Sequence, residues 1–168
     1  MKDNLRLYVS IMQFIGQTGM TFNDRRNRVT LVWAVVGLIM SKSIHLSAWL
    51  VYRIGDTQAA SKVRQFSRWL HNPKLDAGVV YHALASHVLL EWQTNPLEIA
   101  LDTSVVWNRY VIVRLAAIYR GRALPLAWTV LEQSSASVSF ANYAPVLHTA
   151  SALIPSHCTV VLLADRGF

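Results

Sequence analysis

Cysteine is nearly absent: Cys158 is the single thiol in 168 residues. One thiol excludes an internal disulfide framework and fits a reducing compartment. It stands just before an apolar run and reads as a small buried hydrophobe, not a nucleophile. Acidic residues are scarce as well, 9 against 16 Lys+Arg, so the formal net charge is +7. A balance of that sign points to an anionic partner. Charged residues make up only 15% of the chain and hydrophobic ones 53%, which excludes an intrinsically disordered protein. There is no internal repeat and no low-complexity segment. Met1-Lys2-Asp3-Asn4 leads into no clean apolar core with a cleavage site, so no secretory signal is expected. Long apolar runs are missing too. The most apolar stretch, Val29 to Met40 (VTLVWAVVGLIM), falls short of the roughly 20 residues a spanning helix needs. Extending it to Tyr52 would bury Lys42 and His45, so a buried core helix is expected and no membrane partner.

The positive charge is unevenly placed. Residues 1–94 hold 11 Lys+Arg against 5 Asp+Glu, a net of +6, whereas residues 95–168 hold 5 against 4, a net of +1. The amino-terminal part reads as all helix. Asn4 to about Gly19 has apolar residues at helical spacing and ends near Gly16 or Gly19. Thr21 to Arg28 is a polar, basic link to the core helix at Val29. A short helix follows from Ser43, a candidate N-cap, to Tyr52. Arg53 to Thr57 is a turn around Gly55, and Gln58 to Leu70 (QAASKVRQFSRWL) is a basic amphipathic helix. A helix, a glycine turn and a basic helix outline a helix-turn-helix, though with a rather long turn. Lys62, Arg64 and Arg68 are its candidate DNA contacts. Asn72-Pro73 ends that helix, and Asp76 caps another that runs to Trp92. Gln93-Thr94-Asn95-Pro96 is the expected linker, giving domains 1–94 and 95–168.

The last third has a different texture. Leu97 to Ser104 (LEIALDTS) and Thr159 to Phe168 (TVVLLADRGF) each deliver one aspartate, Asp102 and Asp165, at or near the end of a short apolar run. Such runs read as buried strands. A carboxylate at the carboxyl end of such a strand sits at the rim where open α/β sheets bind ligands. On adjacent strands the two carboxylates would repel unless a proton or a cation lay between them, and Mg²⁺ takes one or two carboxylates together with phosphate and water. Between the two acids, Tyr110 to Tyr119 and Ala123 to Leu131 form a hairpin around Arg120-Gly121-Arg122. Pro125 belongs near a strand start or a bulge. Phe140 to Ile154 has helical spacing, tolerates Pro145 in its first turns and stops at Pro155. The fold class is therefore mixed α/β.

That order, with LALDTS around Asp102 and ADRGF around Asp165, resembles the front half of the catalytic domain of bacterial insertion-sequence DDE transposases, whose fold is RNase H-like. The resemblance implies that Asp102 and Asp165 are the first and second acids of the triad, both catalytic and both metal ligands. It implies Mg²⁺ or Mn²⁺ as cofactor and, as partners, element terminal repeats, target DNA and other copies of the chain. It further implies a bacterial cytoplasmic protein associated with the nucleoid. Two metal ions would clamp the attacking and leaving oxygens while strands are nicked and transferred. The family's third acid, a glutamate on a later helix, has no counterpart before Phe168. The chain is thus expected to be a truncated transposase, inactive alone. The alternative is a non-catalytic DNA-binding module or inhibitor derived from a shortened transposase.

Other residues carry plainer readings. His82 and His87 do not share a helix face well and are not expected to pair on a metal. Glu132 reads as a surface residue and does not fit the third acid's place in the order. Trp107 and Trp128 read as packing residues. Arg166 suits either a phosphate or a carboxylate.

Overall fold

The computed structural model describes residues 3–55, 58–90, 92 and 96–165. It forms two compact units, Met1–Leu84 and Ala85–Phe168. The expected linker residues Gln93, Thr94 and Asn95 lie outside the described residues, as do Asp56, Thr57 and Arg166 to Phe168.

The first unit is helical. Helix α1 (Asp3–Gln17) stops where Thr18 turns its hydroxyl back to donate to the Ile15 carbonyl, 2.9 Å, and Gly19 takes a left-handed φ of 67°. Helix α2 (Arg25–Ser41) begins four residues earlier than its apolar run suggests. The reason is Asp24, whose Oδ1 accepts from the Arg26 backbone N–H at 2.7 Å and so satisfies one of the amides a helix start leaves open. Lys42 ends α2 in the left-handed region.

The helix expected from Ser43 is much shorter. Only Leu46–Trp49 (α3) is α-helical, followed by a 3₁₀ turn, Leu50–Tyr52. Ser43 is spent on a local turn, its Oγ accepting from the His45 N–H at 3.2 Å, while its carbonyl accepts the Trp49 indole N–H at 2.7 Å. Helix α4 (Ala59–Leu70) supplies Phe66, which is buried together with Val32, Val36 and Trp49. Each such apolar side chain contributes roughly 1.5–3 kcal/mol by leaving water. Among the described residues no single helix is long and apolar enough to cross a membrane; Arg25–Ser41 and Leu46–Tyr52 together have the composition but are bent by 95°.

Helix α5 (Ala77–Leu90) opens at Asp76, whose Oδ1 accepts from the Gly78 and Val79 amides. The second unit is built on strands β1 (Leu97–Val106), β2 (Tyr110–Tyr119), β3 (Arg122–Glu132) and β4 (Val160–Ala164), with helix α6 (Phe140–Ser151) between β3 and β4. The sheet is mixed, in the order β3-β2-β1-β4. Strands β1, β2 and β3 are antiparallel neighbours, and β4 returns parallel to β1. The β2–β3 turn is Arg120-Gly121, both residues left-handed, as a tight primed hairpin turn requires. Pro125 stands beside the one register shift of the β2–β3 pair, where Leu115 faces Ala127 and Ala116 faces Pro125; the bulge relieves the missing N–H.

Alternation sorts the sheet's faces. Leu97, Ile99 and Leu101 of β1 and Val111, Val113 and Leu115 of β2 are buried on the face that α6 covers, where Val146 and Ala150 are buried in turn. The intervening residues of β1, including Asp102, look outward. Strand β4 departs from expectation: every residue from Val160 to Ala164 is exposed, because it is an edge strand and α6 packs against β2 and β3 instead.

Candidate functional site

Asp102 does not end its strand. Strand β1 runs on to Val106, because its pairing with β2 continues as far as Val106 opposite Tyr110. Asp102 therefore lies in mid-strand on the open face, with Arg114 of β2 as its cross-strand partner. The Arg114 guanidinium donates through Nη2 to Asp102 Oδ2 at 2.9 Å, and both side chains are substantially exposed, 40% for Arg114 and 55% for Asp102. Trp128 of β3 is the next residue along the same row, paired with Arg114.

Asp165 immediately follows β4 and is exposed. The last parallel pair is Leu101 with Ala164; carried one residue past the end of β4, the same register would set Asp102 beside Asp165. Alternation puts both on the open face, since Ala100 and Leu163 are also partners. With neighbouring strands about 4.8 Å apart, that continuation would leave the two carboxylates close enough to share one cation. The pair is a small donor set: among the described residues no group of three or more His, Cys, Asp or Glu side chains could hold a metal ion. Two carboxylates fit a hard cation that keeps its other positions for water and phosphate oxygens, and do not fit one caged by protein alone.

Arg114 is the component that sequence reasoning passed over. Its signal was there: it is the lone charge inside an otherwise apolar strand, YVIVRLAAIY. Only the hairpin register, however, tells which β1 residue it opposes.

The three basic residues of α4 separate. Arg64 and Arg68, one turn apart, are exposed, whereas Lys62 is half-buried and its Nζ donates to the Arg53 carbonyl at 3.0 Å. Arg53 itself lies 5.4 Å over the Phe66 ring, and burial pulls its guanidinium below its ordinary pKa. Glu132 is a surface residue as expected, accepting from Arg109 Nη2 at 2.8 Å. Cys158 is half-buried. Trp107 corrects the packing reading. It is 85% exposed, because it occupies the β1–β2 turn and not a strand face.

No known family and no curated protein matches the chain.

Proposed function

We propose that Asp102 and Asp165 together hold a divalent metal for phosphoryl transfer on DNA, as in a DDE transposase with an RNase H-like catalytic domain. One observation supports the reading: β4 pairs parallel with β1 as far as Leu101 opposite Ala164, the residues just before the two aspartates. Bound there, Mg²⁺ or Mn²⁺ would supply the positive charge that phosphoryl transfer needs.

The chain's own groups do the rest. Asp102 and Asp165 hold the cation as ligands, and Asp102 would lean on it with the oxygen it now gives to Arg114. The Arg114 guanidinium, released from that ion pair, is placed to meet a phosphate oxygen. The basic amino-terminal part, with Arg64 and Arg68 foremost, holds the DNA backbone, and the protein's place is the bacterial nucleoid. DNA binding without strand cleavage is the second reading. It is favoured by the Asp102–Arg114 pair, which neutralises Asp102 without any metal.

Electron paramagnetic resonance of Mn²⁺ titrated into the purified chain separates the two. Saturable binding that disappears in both Asp102→Asn and Asp165→Asn is the expected result. Binding that survives both substitutions, or no binding at all in the presence of a DNA oligonucleotide, overturns the metal reading. Retained DNA affinity in that case leaves the binding module.

A further inference from the structure

The β1–β2 turn is built against its own stability. Trp107 and Asn108 both adopt left-handed backbone angles, φ 53° and 56°, and the Arg109 N–H closes the turn on the Val106 carbonyl at 3.2 Å. Asparagine tolerates that conformation; a bulky residue is an outlier in it. Trp107 gains little in return. It is 85% exposed, and its ring meets Tyr110 edge-on at 6.5 Å between centroids. Strain of this kind, at a residue that does not pack, runs from observation to function.

The surroundings are ordered by exposed side-chain contacts. The Arg109 guanidinium lies 5.2 Å over the Tyr110 ring. It is held there by two hydrogen bonds to Glu132 Oε1, from Nε at 3.1 Å and from Nη2 at 2.8 Å. Tyr110 faces Val106 and Glu132 across the two pairings, so alternation puts it on the same open face as Asp102 and Arg114. The tip thus presents an indole, a phenol and a planar cation together, at the carboxyl end of the strand that carries Asp102.

We propose that Trp107 is a stacking post for an unpaired nucleobase of the DNA strand whose phosphate lies at Asp102 and Asp165. Every base offers a π-face to an indole, and the flat Arg109 guanidinium, although paired with Glu132, adds a second surface on which a base can stack. Strand geometry puts the tip roughly 17 Å from Asp102, at about 3.3 Å per residue. At about 3.4 Å per stacked nucleotide that is about five nucleotides, and fewer for an extended strand. The distance rests on the reading of Asp102 and Asp165 as the phosphate end; the stacking itself does not.

The test uses mixed-sequence single-stranded oligonucleotides carrying 2-aminopurine at successive positions, with a blunt duplex for comparison. The whole chain should quench the probe strongly in a single strand and weakly in the duplex. Trp107→Asn should abolish the quenching and weaken single-strand binding at least fivefold. Trp107→Phe should retain most of both. Because asparagine suits a left-handed turn position, Trp107→Asn should melt no lower than the parent, which separates lost stacking from lost folding. Asp102→Asn should leave the stacking signal in place, so the post stands or falls apart from the metal reading. Quenching unchanged by Trp107→Asn overturns the proposal. So does a Trp107→Asn chain whose self-association falls while its oligonucleotide affinity does not, since that assigns the tip to a protein partner.

Discussion

Single residues set two of the sharpest constraints. Gly37, in the middle of α2, lies against Trp49: a Cβ at Gly37 would stand 2.5 Å from the Trp49 Cβ. Trp49 cannot yield, because it is buried, bonded to the Ser43 carbonyl and edge-on to Phe66 at 5.5 Å. Gly37→Ala should therefore destabilise the helical unit by about 1–3 kcal/mol despite alanine's better helix propensity. Gly16→Ala in α1, where nothing lies within 4 Å, should be neutral or stabilising by up to about 1 kcal/mol. Urea unfolding of the pair measures both. Arg114 is the other constraint. Its ion pair with Asp102 is half-exposed, and such pairs are worth about 0–1 kcal/mol. Arg114→Gln should leave the unfolding midpoint almost unchanged while raising Mn²⁺ affinity several-fold, because Asp102 loses a competing cation. Unchanged or weaker Mn²⁺ binding in that variant would show that the guanidinium does not compete for the carboxylate.

At the level of elements, the start of α2 depends on protonation. The Arg26 side chain hydrogen-bonds the Asp24 carboxylate and, with the Arg26 amide, holds its pKa below the ordinary value of 3.8. A carboxyl with a depressed folded-state pKa stabilises the fold above its unfolded value and loses that contribution as pH falls through the folded one. The cap should therefore be fully effective at neutral pH and fade below about pH 4. Asp24→Ala should lower the thermal midpoint at pH 7 and flatten its fall over that acidic range. Strand β4 makes a different prediction. Val160, Val161, Leu162 and Leu163 are all at least 40% exposed on an edge strand with no charge to guard it, and such edges template pairing with another strand. The chain should associate as its concentration rises, and Val161→Lys should suppress this in sedimentation velocity. Association undiminished by that lysine would place the self-contact elsewhere.

For the molecule as a whole, the uneven charge is what the proposed DNA binding would draw on. Residues 1–94 carry a net of +6, so DNA affinity should fall steeply with salt. Replacing Arg64 and Arg68 together by alanine should shallow the log–log salt slope by about 2, whereas Asp102→Asn should leave it unaltered. A double variant with the parent's slope would move the phosphate contacts off α4.

Much of this architecture was legible without coordinates, and the reason is local. Strand β2 is bounded as its β-branched and aromatic run suggests, because the Arg120-Gly121 turn chemistry and the alternation of side chains act within a few residues. Asp76 and Pro125 do what their chemistry requires, one capping α5 and the other standing beside a bulge. Where the reading went astray, distant partners decided. Ser43 fails to start a helix because its carbonyl is taken by the Trp49 indole. The pairing with β2 carries β1 four residues past Asp102. Composition and periodicity alone determined the order of helices and strands, the asymmetry of charge and the two aspartates that end apolar runs. Only the tertiary structure decided that β4 returns parallel beside β1, that Arg114 faces Asp102, and that Trp107 stands in solvent. Register and sheet order are set by contacts between residues remote in sequence, and no local pattern encodes them.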